Sequence, residues 1–539
     1  MIRVRTPRND GLWLPKRRLI RPPASLDPMA VNVVWFKRDL RIRDHAPLSE
    51  AAKGSDPLIL LYLIEPERLA QPDTDPTHIE WELDCATELD KNLKAMGGSL
   101  HVVYSNVIDC LSKINSEYRI NKIFSHQETG TSWSYERDRR VKGWCKKEGV
   151  SWEEFPTNGV VRGLMDRDYW KGFRDKRMSN PPIPPPVSIR SIPATDIKPT
   201  VDSMGLAPRK LTQRPNPGEN AAIETLDSFL NLRGEPYRWR MSSPAEASYH
   251  CSRLSPYFST GCLSIRSALW KTNQRKAALK DSKISNKSKS SWAKSLSSFQ
   301  SRLAWHCHFI QKLEQEPTLD LIAMNVDLDS RMEREYDETT FRAWASGNTG
   351  WPFFDACMRQ LISTGWINFR MRAMIMSVSS YTLWLPWRDS GLHLARLFLD
   401  YEPGIHWSQV GMQSGTTGIN SIRAYSVHKQ GLDHDPYGDF IKSWIPSLKN
   451  VPAEFIHEPW KMPVSVQNES GCVIGRDYPL PVLDESKSRR EGVKRAYSAR
   501  RSAKSRETSK KVYEKHGSRK NRRRRKPIRT DDPLQTKLF

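Results

Sequence analysis

Val33-Val34-Trp35-Phe36-Lys37-Arg38-Asp39-Leu40-Arg41-Ile42-Arg43-Asp44 decides how the chain is read. A short apolar run from Val31 to Phe36 has the character of a buried strand, and it stops at a loop crowded with arginine and aspartate. Further strand-like runs follow at Leu58 to Ile64, Leu100 to Tyr104 and Lys122 to Ser125, separated by helical stretches such as Thr77 to Met96 and Tyr135 to Lys147. Alternation of this kind predicts a parallel sheet covered by helices on both faces, an α/β domain over residues 31–160.

Outward from that domain the pattern changes twice. Asn180 to Pro217 carries Pro-Pro-Ile-Pro-Pro-Pro and more isolated prolines, which deny helix and ladder hydrogen bonds, so residues 161–219 are expected to be an extended interdomain connection. Beyond Gly218 the strand signal ends. Amphipathic stretches such as Asp355 to Thr364 and Leu392 to Phe398 predict an almost wholly helical second domain over 220–463. Residues 464–539, rich in Lys, Arg and Ser past Asp484 and including Arg522 to Lys526, have too few apolar groups for a core and are expected to be a disordered basic tail. Its role is open between a salt-sensitive nucleic-acid tether and a solubilising or targeting tail. Residues 1–30 form a basic, proline-containing extension without the apolar core of a secretory signal, also expected to be disordered. Met29 stands directly before the first strand and fits a translation start; an organellar transit peptide is the other reading.

With 539 residues the chain exceeds one core, and its 19 tryptophans and 38% hydrophobic residues are those of a folded body able to bury a large cofactor. No apolar stretch approaches the length of a membrane span, so no membrane partner is expected. A formal charge of +24 points to a polyanion, with nucleic acid the first candidate and a merely solvated tail the bland one. The eight cysteines lack any Cys-x-x-Cys pair; reduced thiols and no metal site are expected.

The opening motif, continued by Ala46-Pro47-Leu48, is similar to the first strand and loop of the cryptochrome/photolyase family. In the same order come Gln127-Glu128-Thr129-Gly130, Ser252-Arg253-Leu254-Ser255, Gly350-Trp351-Pro352-Phe353-Phe354-Asp355-Ala356, Met358-Arg359-Gln360-Leu361 and Thr364-Gly365-Trp366. Trp387-Arg388, Asp435-Pro436-Tyr437-Gly438-Asp439-Phe440-Ile441 and His457-Glu458-Pro459-Trp460 complete the series. Spread over residues 31–463, the resemblance implies a Rossmann-like antenna domain with a five-stranded parallel sheet, then an all-α domain binding flavin adenine dinucleotide (FAD).

Taken alone, Ser252-Arg253-Leu254-Ser255-Pro256 is a capped helix start, whose hydroxyls and guanidinium also suit a diphosphate. The resemblance makes it the FAD phosphate loop, with Cys251 where the family commonly has threonine. It further implies FAD contacts for Tyr237, His306, Arg372, Asp400, Tyr401, Glu402 and His406, the last facing flavin N5 by a gap-free count from Asp400. A histidine there could donate to N5 and titrate near neutral pH. Trp366 falls near the flavin. In the family's tryptophan electron-transfer chain Trp387 matches the middle member, while Val410 and Arg334 stand at the inner and outer positions; Trp407 and Trp384 are the candidate substitutes. Glu128 resembles an acidic contact of a folate-type antenna, and a second chromophore of folate or deazaflavin type has room in the scheme.

For lesion recognition the resemblance implies Arg302, Trp305, Phe369 and Arg370. Repair enzymes usually carry glutamate at the Arg302 position, arginine at His306, asparagine at Phe369 and methionine at Ala373, whereas Trp305 is retained and can stack on an extruded base. The paired histidines expected for the pyrimidine–pyrimidone adduct are absent. The expected function is a deoxyribodipyrimidine photolyase, a carbon–carbon lyase acting on ultraviolet-damaged DNA; a cryptochrome photoreceptor without repair is the alternative. A monomer is expected, in a bacterial cytoplasm near the nucleoid or in a eukaryotic organelle or nucleus.

Overall fold

In a computed structural model, which describes residues 29–195 and 197–517, five strands form one parallel sheet: β1 (Ala30–Phe36), β2 (Leu58–Ile64), β3 (Leu100–Tyr104), β4 (Arg119–His126) and β5 (Ser151–Phe155). Their spatial order is β3-β2-β1-β4-β5. Alternate residues of the central strands enter opposite cores, Val34 and Phe36 with Leu60 and Tyr62 on one face, Val33 and Trp35 with Ile59 and Leu61 on the other. Burial on both faces explains why β1 and β2 read as unbroken apolar runs. β5, Ser-Trp-Glu-Glu-Phe, sits at the sheet edge and stays partly exposed, so no such run marked it.

The sheet's order reverses at β1, and the loop leaving it is fixed by hydrogen bonds. Asp39 accepts from the Lys37 amide (2.7 Å), His45 Nε2 (3.0 Å) and His126 Nδ1 (2.7 Å). The Leu48 amide donates to His45 Nδ1, which puts that ring's proton on Nε2 and leaves it no lone pair for a metal, although Asp39, His45 and His126 are close enough to suggest one. Thus anchored, the loop sends Arg38 into the second domain, to the Ser259 carbonyl (3.0 Å) and the Glu402 carboxylate (3.0 Å).

From Asn180 the segment first runs along the first domain, its backbone bridging Leu58 through Arg190 and Ile192, and then reaches the second domain, where the Thr212 amide bonds the Ser363 carbonyl and Arg209 the Ile362 and Leu397 carbonyls. The expected connection is interrupted, however: Trp170–Ser179 is helical, seated through buried Arg174 and Met178. From Gly218 onward the chain is helical, as expected. Among the described residues no helix is long and apolar enough to cross a membrane.

The expectation of a disordered 464–539 is corrected for its described part. Val464–Ser470, Glu485–Ala499 and Ala503–His516 are helices. Gly492, Ala496 and Ala499 share one face and are buried, and a Cβ on Gly492 would overlap the Tyr381 carbonyl oxygen. Small side chains permit this close approach, and polar bonds complete the seat: Asn325 to the Ser505 carbonyl (3.0 Å) and Ser509 Oγ (2.9 Å), Arg500 to the Asn420 carbonyl (2.7 Å), His516 to Glu316 (2.9 Å). A count of large apolar residues misses such docking. Residues 1–28, and 518–539 with the Arg522 to Lys526 run, lie outside the described residues.

Candidate functional site

Cys251 ends the helix Pro244–His250 as its C-cap, and Arg253 takes a left-handed backbone conformation (φ 61°) before the helix Ser255–Ser259. That turn lays the Arg253 guanidinium on the Trp366 ring, 3.8 Å from its centroid. Burial pulls Arg253 down to about 10, opposed by Asp400, and Arg253 forms no ion pair among the described residues. Arg233 is likewise without a carboxylate; its guanidinium reaches the carbonyls of Thr225, Tyr249, Cys251 and Ser252. Burial pushes the Cys251 thiol up to about 12 despite four guanidiniums acting on it, those of Arg253, Arg233, Arg372 and Arg302. With Arg372 matched by Asp400 and every Arg233 donor bonded to the Ser228 hydroxyl or a backbone carbonyl, Arg253 and Arg302 are the cations around Cys251 left to cradle a polyanion, and a dinucleotide diphosphate fits that charge.

Arg372 and Asp400 form a two-pronged pair, 3.0 and 2.8 Å, with Arg372 also stacked on Phe398 at 4.2 Å. His406 stands behind this pair, edge-on to Phe398, Tyr401 and Trp407. Its Nε2 bonds the Gly391 carbonyl (2.9 Å), and burial pulls its basicity down to about 4. The expectation that His406 titrates near neutral pH is therefore corrected: the ring is neutral, its one N–H serves the backbone, and Nδ1 is an acceptor. His306 is neutral too, drawn down to about 3 by burial, and its Nδ1 has no partner among the described residues.

Arg302 joins the cradle to the surface. It acts on Cys251 and on Tyr237, and its guanidinium lies 4.1 Å from the Trp305 ring centroid and 5.1 Å from that of Phe369. Trp305 is 42% and Phe369 49% exposed, high values for aromatic rings, so the three residues form an open slot at the edge of the cofactor site. Arg370, next to Phe369, lies apart from this stack; its charge acts on His434.

Trp407, expected only as a substitute, lies edge-to-face with Trp387 at 6.0 Å. Trp407 and Val410 share a face of the helix Pro403–Ser414, both against Gly391, so the ring has moved one helical turn from the Val410 position. Trp387 Nε1 donates to Asp329 (3.0 Å), whereas Trp384 is held between Arg334 and Arg495.

Three of the residues expected to contact a cofactor or antenna have partners within the protein. Tyr401 donates to Asp73 (2.5 Å) and Glu402 pairs with Arg38, so both join the two domains and have their polar groups taken. Glu128, assigned to an antenna by resemblance, is buried on Arg137 (2.6 Å) within a cluster that includes Glu65 and Asp138. The sequence reading missed Arg233, whose only signal was an arginine closing an apolar stretch, and the Asp39 hub, signalled by His45 directly before Ala46-Pro47.

A five-stranded α/β domain, a helical domain with a cationic dinucleotide cradle, and an aromatic slot beside it define a two-domain flavoprotein. Residues 32–163 match the family described as DNA photolyase and residues 299–498 the FAD binding domain of DNA photolyase. The second match runs through the helix Glu485–Ala499, in agreement with its docking. The chain is 26% identical over 488 residues to a deoxyribodipyrimidine photo-lyase of Alkalihalophilus pseudofirmus, covering 86% of this chain and 97% of that protein. It is 25% identical over 499 residues to cryptochrome-1 of Aedes aegypti, covering 84% and 90%. A bacterial class III photolyase from Agrobacterium tumefaciens shares the fold, with TM-score 0.75, 23% identity, and coverage of 89% of this chain and 100% of that one. The chain belongs to the cryptochrome/photolyase family, and FAD is its cofactor.

Proposed function

We propose that the protein is a deoxyribodipyrimidine photolyase that repairs cyclobutane pyrimidine dimers in ultraviolet-damaged DNA under blue light. The observation that supports this reading is Arg302, shared between the cradle and the open Trp305/Phe369 slot, because through it the exposed rings that would stack on an extruded dimer adjoin the proposed cofactor cradle. When bound and reduced, FAD supplies the photoexcited electron that splits the dimer and accepts it back. The chain's own residues would bind and exclude: Arg253 would hold the diphosphate, while Arg233, its donors spent on the Ser228 hydroxyl and four backbone carbonyls, fixes the loop at Cys251 and Ser252; Arg372 and Asp400 would meet the flavin, and neutral His406 behind them has no proton to offer. Trp305 and Phe369 give the extruded dimer aromatic faces, worth ~1–3 kcal/mol per stacked base.

One observation favours a second reading. Arg302 itself occupies the space beside both aromatic rings, and a slot filled in this way suits a cryptochrome that signals without repair. The test is repair of an oligonucleotide carrying one thymine dimer, single-stranded and duplex, by reduced, FAD-loaded protein under blue light against a dark control. Light-dependent recovery of intact thymines is expected. A normal flavin spectrum with no repair of either substrate refutes the photolyase reading.

A further inference from the structure

The two C-terminal helices contain an internal repeat. Arg490-Glu491-x-x-Lys494-Arg495-x-Tyr497 in the first recurs as Arg506-Glu507-x-x-Lys510-Lys511-x-Tyr513 in the second, sixteen residues later. At 3.6 residues per turn, positions i, i+4 and i+7 fall within one narrow stripe, so Arg490, Lys494 and Tyr497 line up, and Arg506, Lys510 and Tyr513 do the same. All six side chains are exposed, and both tyrosines are 50% exposed. Other faces hold the helices in place: Gly492, Ala496 and Ala499, opposite the stripe, in the first, and Ser505, Ser509, Val512 and His516, about a quarter turn from the stripe, in the second.

Charge sorts the repeat further. Glu507 pairs with Lys511 (2.8 Å), and Arg495 lies on Trp384, so the second basic residue of each repeat is used by the fold. Arg490, Lys494, Arg506 and Lys510 form no ion pair among the described residues. A solvated helix needs neither a duplicated arrangement nor tyrosines at half exposure among unpaired cations. The chain beyond Gly517 continues the same charge with Arg522 to Lys526.

We propose that these paired stripes bind nucleic acid independently of any lesion, the four cations on phosphates and Tyr497 and Tyr513 stacking on unpaired bases. Cations at fixed spacing suit a repeating polyanion, and an aromatic ring one turn beyond them suits a single strand, since every base offers a π-face. The stripes lie away from the slot: Phe369 begins the helix Phe369–Ser377, whose residues from Ala373 onward are buried, and Tyr381, on which Gly492 rests, stands ~18 Å further along at 1.5 Å per residue.

The test is fluorescence anisotropy of an undamaged oligothymidylate with the full, FAD-loaded chain, in the dark, across a salt series. The quadruple variant R490Q/K494Q/R506Q/K510Q is expected to flatten the slope of log K against log salt by ~3, from ~0.7 for each phosphate no longer neutralised. Y497A/Y513A is expected to weaken binding about tenfold or more at unchanged slope, as loss of stacking requires. Flavin absorbance and thermal midpoint should match wild type, because every altered side chain is exposed. Wild-type affinity and slope in the quadruple variant would overturn the proposal, as would full binding by the tyrosine variant. Polyglutamate competing as well as oligothymidylate would overturn it too, in favour of an acidic protein partner. Neither lesion nor light enters, so failure here is distinct from failure of the repair reading.

Discussion

Replacing His406 with glutamine should relieve part of the protein's sensitivity to acid. In the fold His406 is neutral down to about pH 4, because burial outweighs the help of the Gly391 hydrogen bond. In the unfolded chain an ordinary histidine takes up its proton near pH 6.5. The folded value is the depressed one, so below pH 6.5 the unfolded state binds more protons, and stability present above that point is lost as pH falls towards 4. With those two values the loss is ~0.2 kcal/mol at pH 7, ~2 kcal/mol at pH 5 and at most ~3 kcal/mol below pH 4. His406→Gln keeps a donor for the Gly391 carbonyl but cannot titrate. Urea unfolding of FAD-loaded protein at pH 7.5 and 5.0, with excess FAD throughout, gives each form's acid loss relative to its own neutral value. His306, likewise neutral, remains in both proteins, so wild type should lose ~2 kcal/mol more than the variant. Equal losses would refute a neutral, buried His406, and a larger loss in the variant would reverse the sign of the argument.

Trp407→Phe should abolish or strongly slow the photoreduction of bound oxidised FAD by an external thiol while leaving FAD content unchanged, followed as loss of oxidised-flavin absorbance under blue light; wild-type kinetics would exclude Trp407 from the route that its contact with Trp387 provides. Gly492→Val should destabilise the protein by ~1–3 kcal/mol and expose the C-terminal helices to limited proteolysis, since its Cβ meets the Tyr381 carbonyl; an unchanged digestion pattern would show that the helix does not depend on that close approach.

The fold was legible wherever one residue property repeated over an element. Leu58 to Ile64 was read with the bounds it has, because a strand buried on both faces needs only apolar residues. The edge strand Ser151–Phe155 offered no such run, and the helices after Asp484 are held by Gly492, Ala496 and Ala499, whose contribution is their smallness. At the site, Arg372 and Asp400, read as a pair that can balance charge, are paired despite their separation in sequence. What could not be read was direction. Tyr401 and Glu402 adjoin Asp400, yet their polar groups turn to Asp73 and Arg38, partners contributed by the other domain. His406 shows the same limit, as a sequence carries the ring but not the carbonyl that takes its proton.

The charges of the site set a final constraint on function. Arg372 is matched by Asp400, which leaves Arg233, Arg253 and Arg302 without carboxylates of their own. A bound diphosphate would bring two negative charges, enough to balance Arg253, which lies on Trp366, and Arg233, whose donors already end on the Ser228 hydroxyl and four backbone carbonyls and whose share is charge balance alone. Arg302 then remains the unmatched cation of the cluster, and it alone also lies between the exposed aromatic rings. The aromatic faces offer it no formal charge, so an anion entering the slot should compete with them for it. The phosphate between two flipped pyrimidines is such an anion, arriving with the bases that take the vacated rings. Arg302 is thus consistent with repair when it moves and with a closed, signalling slot when it stays, and the lesion's own charge favours movement.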